Sequence, residues 1–245
     1  MKLSLKSVHL KWISISMMIV GEVLRQFIYQ FTIGNGVEPL PWQTIVYYVG
    51  YVLYLGAFPI SAFLLVEGAK KTSNQRFFLG RLCLAGLVTE LLLDVALYGR
   101  ELFSYGRYPQ NYFFTLLLGL LVIYLVEALA GYIIVGSFWY NLITLVLYII
   151  VTIIVTLLQL EQGSLGILVI IALHVCYGNR LFSLILVAVL YLLFLKGIGI
   201  FSIIPAFSLL LLWFYQGVEG KKARWFFYLA YPGAYLMLGL LVRFL

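Results

Sequence analysis

Apolar stretches of eleven to twenty-three residues alternate along the whole chain with short polar connections that carry glycine, proline or clustered charge. A bilayer core needs roughly 20 apolar residues per helical crossing. On that measure the pattern predicts helices over 12–31, 45–67, 78–97, 112–130, 138–160, 167–177, 181–195, 199–215 and 225–244. The first break, GNGVEPLPWQ, holds Gly34, Gly36, Pro39 and Pro41, which end a helix by freeing or fixing φ. The later breaks read YGRELFSYGRYPQN, EQGSLG, GNR and QGVEGKKAR. The runs 167–177 and 181–195 are short enough to be either two thin crossings or a re-entrant pair. Pro205 predicts a kink in the eighth helix, and Pro232 with Gly233 a break in the ninth. The expected fold is an all-α integral membrane protein, a bundle of about nine transmembrane helices. Residues 1–245 read as a single polytopic domain, with residues 1–11 as a basic juxtamembrane lead against anionic lipid.

Composition narrows the function classes. Of 245 residues, 64% are hydrophobic and 10% charged, against about 25% charged in an ordinary soluble domain. Short loops leave nothing over for a soluble domain. The net charge of +7 does not indicate nucleic acid, because the basic residues sit in loops beside apolar runs rather than on one amphipathic face. They read instead as topology signals. With the N-terminus in the cytoplasm, the inner loops take Lys2, Lys6, Lys11, Lys70, Lys71, Arg76, Arg81, Arg180, Lys221, Lys222 and Arg224, and the outer ones only Arg100, Arg107, Lys196 and Arg243. Merging 167–195 into one crossing would move the Lys221 cluster outside. The first apolar run lacks a small-residue cleavage site and reads as a retained helix. Cys83 and Cys176 lie in apolar runs without metal or disulfide spacing.

The stretch 58–94, FPISAFLLVEGAKKTSNQRFFLGRLCLAGLVTELLLD, sets two apolar helices astride a basic loop and then places carboxylates inside the second helix. Lys70, Lys71, Arg76 and Arg81 follow Glu67 with no acid among them. Glu90 and Asp94 are four apart and share a helix face. Carboxylates at membrane depth are costly, so they face a bundle interior or a wet cavity, and that face is the default candidate site. The full polar set at depth is Glu22, Arg25, Glu67, Glu90, Asp94, Asn111, Thr115, Glu127 and His174. Six of them have a plainer reading. Glu22 and Arg25, three apart, pair with each other; Glu127 reaches the interface from a helix end; His174 is hydrogen-bonded within the bundle; and Glu90 with Asp94 pairs across helices with Arg81. Glu90 and Asp94 lie about 13 and 20 Å deeper than Arg81 at 1.5 Å per residue. The expectation is one pocket holding Glu22, Glu90 and Asp94, bordered by Asn111. No phosphate loop, nucleophile elbow or Cys/His pair is present.

The segments FPISAFLLVEG, KKTSNQRFFLGRL, TELLLDVALYG and NYFFTLLLGLL, with the turn EQGSLGILVI and the tail QGVEGKKARWFFYLAYPGAYL, together resemble the TraX family in order and spacing across nearly the whole chain. The resemblance implies a bacterial inner-membrane protein linked to conjugation. It also implies an acyltransferase that moves acetyl from acetyl-CoA, or another acyl-CoA, to the amine of a peptide or pilin-like acceptor, with no metal. On it, Glu22, Glu90 and Asp94 are catalytic, and Glu67, Arg81, Asn111 and Thr115 bind substrate. Lys70, Lys71 and Arg76 meet the donor's phosphates, and membrane lipid is the surrounding partner. Where the family has an Asp-His pair in its first helix this chain has Gly21-Glu22, and where it has a histidine after the Tyr-Pro this chain has Ala234. The alternative reading is therefore a catalytically silent relative, a membrane assembly partner for a secreted peptide or conjugation system.

Overall fold

The structure, a computed structural model, describes residues 5–32, 36, 38–97, 111–218, 228–234 and 236–237. Among the described residues there is no strand, and the regular elements are helical. These are α1 (Ser7–Phe31), α2 (Pro41–Lys71), α3 (Gln75–Leu97), α4 (Tyr112–Leu129), α5 (Phe138–Leu157), α6 (Gly163–Val175), α7 (Arg180–Phe194) and a 3-10 segment (Lys196–Phe214). Four helices are long and apolar enough to cross a membrane: Ser7–Arg25 within α1, α2, α4 and α5. The shorter apolar helices are α6, α7 and Ser202–Phe214. α3 is not among the four; it carries Arg76, Arg81, Glu90 and Asp94. By Cα proximity the chain divides into two compact units, Met1–Ser61 with Asn179–Ala234, and Ala62–Gly178 with Tyr235–Leu245.

In the first unit α1 and α2 approach closely at glycine. A Cβ on Gly21 would stand 2.6 Å from both Gly50 O and Tyr54 N, and one on Gly50 would stand 2.8 Å from Gly21 O. Small residues permit this backbone contact between apolar helices, where lipid supplies no hydrophobic drive of its own. Ser14 Oγ donates to Ala57 O at 2.9 Å and lies 2.6 Å from Ser61 Oγ. Pro59 sits inside α2 and has no N–H to offer the carbonyl four residues back, that of Leu55. Tyr191 of α7 supplies the missing donor, its hydroxyl reaching Leu55 O at 3.0 Å. Pro59 is thereby tolerated inside an apolar helix, where the freed carbonyl needs a donor. Leu5 bridges to the end of the 3-10 segment, Leu5 N donating to Phe214 O at 2.8 Å and Gln216 N to Leu5 O at 3.1 Å.

Two expectations change here. α1 begins at Ser7 rather than 12, so much of the basic lead is helical, with Leu10 fully buried. The eighth helix is not a kinked α-helix: Lys196–Phe214 winds as 3-10 helix through Pro205. Gly197 and Gly199 weaken α-helix at its start, and Pro205 removes a donor in its middle. At about 2.0 Å per residue its 19 residues extend about 38 Å, ten more than an α-helix of that length.

In the second unit α4 packs on α3, α5 and α6. Gly86 of α3 lies under Phe114, and Gly119 of α4 is so close to α6 that a Cβ there would run into Ile170. α5 turns Leu145, Ile149, Ile153 and Leu157 outward, the surface that a lipid-facing helix needs. The C-terminal ends of α4 and α6 meet the end of α2 at Lys70, as described next. α4 and α6 therefore run parallel.

Candidate functional site

The buried polar residues are taken unit by unit. In the first unit Glu22 is buried and its Oε2 lies 3.3 Å from Arg25 Nη2. The Arg25 guanidinium in turn lies over the rings of Tyr54, at 4.8 Å from the centroid, and Tyr51, at 5.8 Å. Each side chain here compensates the other's burial. Gly21 beside it has no room for a side chain, since both nearest atoms belong to the backbone of α2. An aspartate at this position would push the two helices apart.

The second cluster caps α4. A helix start leaves N–H groups without intrahelical partners and carries partial positive charge. Here carboxylates answer both demands. Glu90 Oε2 accepts from Asn111 N at 3.0 Å and from Asn111 Nδ2 at 2.6 Å, while that amide also donates to Gly86 O at 2.8 Å. Asn111 Oδ1 accepts from Phe113 N at 2.9 Å, and Glu161 Oε2 from Tyr112 N at 2.8 Å. Glu90 is 3% exposed and Asn111 1%, so these are charge-assisted bonds made away from water. Thr115 follows one turn later, its buried Oγ1 without a hydrogen-bond partner among the described residues. Asp94 lies in the last turns of α3, but its side chain is outside the described residues, as are Arg100, Arg107 and the Lys221, Lys222 and Arg224 cluster.

The third cluster lies 16 residues along α4, about 24 Å away. Lys71 Nζ donates to Glu67 Oε1 at 2.7 Å one turn back on α2, with Glu67 buried. Lys70 Nζ is 4.0 Å from Glu127 Oε1 on α4 and 5.1 Å from the centroid of the Tyr177 ring just past α6. Phe63 stacks on that same ring at 6.5 Å. Arg81 spreads over Phe77 and Phe78 of its own helix, and Arg76 is exposed in the first turn of α3, which Asn74 caps through Phe77 N. His174, expected to be bonded within the bundle, has its Nδ1 buried with no hydrogen-bond partner among the described residues.

The geometry thus joins Glu90 with Asn111, Glu67 with Lys71, and Lys70 with Glu127, and keeps the last two pairs at the far end of α4 from the first. Glu127, expected at the interface, meets Lys70. Sequence reading missed Glu161 and Tyr177 altogether. The acidic EQGSLG turn was the only signal for the first, and Tyr177 carried none, being one aromatic among many. No curated protein and no solved structure matches this chain. The family model described as TraX protein does match, over residues 6–242 or nearly the whole length, and the chain belongs to the TraX family.

Proposed function

We propose that the protein is a TraX-type membrane acyltransferase of the bacterial cytoplasmic membrane, moving acetyl or a similar group from a cytoplasmic thioester donor to a peptide amine. The family match supports a conjugation-associated membrane protein, and the observation that carries the finer reading is the clustering of Lys70 and Lys71 with the buried Glu67 and the half-buried Glu127 at the shared end of α2, α4 and α6. On this reading nine crossings place the N-terminus and the 68–81 loop in the cytoplasm. Lys70, Lys71 and Arg76 meet the donor's phosphates, and Glu67, Arg81, Asn111 and Thr115 contact substrate. The acceptor nitrogen attacks the thioester carbonyl, the C–N bond forms and the C–S bond breaks. The proton leaving nitrogen passes through a base, taken from Glu22, Glu90 and Asp94, to the departing thiolate. The test is transfer of labelled acetyl from acetyl-CoA to candidate peptides by the detergent-purified protein, run beside a relative that keeps the family histidines. Label on the peptide is the expected result; its absence while the relative works refutes the reading.

A specific observation favours the second reading, a catalytically silent assembly partner. Glu22 already pairs with Arg25 and Glu90 already holds Asn111, so either serves as a base only by giving up its partner. Crosslinking that captures a secreted peptide or conjugation component, with no label transferred, supports it.

A further inference from the structure

The chain has two histidines. His9 is exposed in the first turn of α1, where its Nδ1 accepts from Lys6 N at 3.2 Å. It is spent on a helix start. His174 differs, since its ring is half-buried in the last turn of α6 and its Nδ1, closed off from solvent, has no hydrogen-bond partner among the described residues. Buried polar groups in folded proteins are nearly always paired, and an exception calls for a reason. A histidine kept for packing alone would be expected to find a carbonyl or hydroxyl in a bundle this rich in both.

The surroundings supply a reason. Gly119 and Ile170 fix the level at which α4 and α6 touch. Because those helices run parallel, His174, four residues past Ile170, stands about one turn further along, level with residues 123 and 124 of α4. Tyr124 has a buried hydroxyl that also lacks a partner among the described residues. One more turn on are Glu127 and Tyr177, both against Lys70. Lys70 is near enough to His174 to act on it electrostatically. The ring, its Nδ1 without a hydrogen-bond partner among the described residues, therefore stands within electrostatic reach of Lys70, one of the cations that the acyl-transfer reading assigns to the donor's phosphates, whereas Glu90 caps the far end of α4, about 19 Å back along that helix.

We infer that His174 is a catalytic residue of the acyl transfer, its Nδ1 accepting the proton from the acceptor's N–H as that nitrogen attacks the thioester and returning it to the departing thiolate. This rests on the acyltransferase reading and moves the base from the carboxylates to an imidazole. In the neutral tautomer protonated at Nε2, Nδ1, which has no hydrogen-bond partner among the described residues, can take that proton without first breaking a bond, as Glu22 and Glu90 must. No other group is consumed, and the proton balance closes within the site.

The experiment is acetyl transfer from labelled acetyl-CoA by the detergent-purified full chain, comparing wild type, His174→Gln, His174→Ala and His9→Gln. The expected result is a loss of about 10²- to 10⁴-fold in kcat for both His174 variants, little change in KM for the donor, and partial rescue of His174→Ala by added imidazole. His9→Gln, which alters only the exposed histidine at the start of α1, should keep most of its rate. Wild-type transfer with His174→Gln within threefold of it overturns the inference and leaves the acyltransferase reading standing. No transfer by wild type overturns both. Should neither His174 variant fold, diethylpyrocarbonate on His9→Gln protein decides. Inactivation that follows modification of His174, slowed by acetyl-CoA and reversed by hydroxylamine, supports the inference; full activity with His174 modified refutes it.

Discussion

Replacing Glu90 by alanine is the most informative single perturbation of this chain, because it separates a structural carboxylate from a chemical one. In the wild type, Glu90 Oε2 takes both the backbone N–H and the side-chain amide of Asn111. Truncation leaves the amide with Gly86 O but leaves the buried Asn111 N–H with nothing. An orphaned buried donor costs about 1 to 3 kcal/mol, and losing a carboxylate from the positive end of α4 adds roughly 0.3 to 1 kcal/mol. Cycles on hydrogen-bonded pairs within membranes average about 0.6 kcal/mol. We therefore expect Glu90→Ala to lose about 2 kcal/mol. Glu90→Gln, which keeps one acceptor oxygen, should lose about 1 kcal/mol or less on the same scale. Asn111→Ala removes the cap of Phe113 as well, worth about 1 kcal/mol, and the double variant should show a coupling near 1 kcal/mol. Reversible SDS unfolding in mixed micelles, followed by tryptophan fluorescence, measures all four variants. A fully stable Glu90→Ala, or a coupling below about 0.3 kcal/mol, which is within the additivity error, would refute the capping argument.

Three further outcomes are expected. Tyr191→Phe should cost about 1 kcal/mol by stranding Leu55 O, and Pro59→Ala, which restores an N–H in α2, should make that same change nearly neutral in the double variant, read by the same unfolding assay. Gly21→Ala should destabilise more than Gly119→Ala, because its new Cβ meets α2 backbone at 2.6 Å while that of Gly119 meets the end of the Ile170 side chain; Ile170→Val should relieve the second and not the first, as melting temperatures in detergent will show. If the nine-crossing topology holds, Ser73→Cys labels from the cytoplasmic side and Glu38→Cys from the outer side in oriented vesicles, and labelling of both from one face excludes it.

Much was legible in the sequence because bilayer thickness leaves a direct imprint on it. Apolar runs near the length of a crossing must become helices, since an unpaired backbone is intolerable in hydrocarbon. The starts and ends of α2 to α7 accordingly fall within about four residues of those predicted from the pattern. The burial of Glu90 was readable for the same reason, since a carboxylate within an apolar helix must find polar partners. What sequence could not decide was partnership. Glu90 meets Asn111 across 21 residues, Tyr191 meets Leu55 across 136, and Lys70 meets Glu127 and Tyr177 from two other helices. Such pairs depend on how helices rotate about their own axes, and those rotations follow from close contacts such as Gly21 on Gly50 and Gly119 on Ile170. The local winding of 196–214 was equally out of reach, because the apolar pattern reports length and burial but not whether the turn closes at three residues or four. Only the tertiary structure distinguished a carboxylate committed to capping a helix from an imidazole whose Nδ1 lacks a hydrogen-bond partner among the described residues.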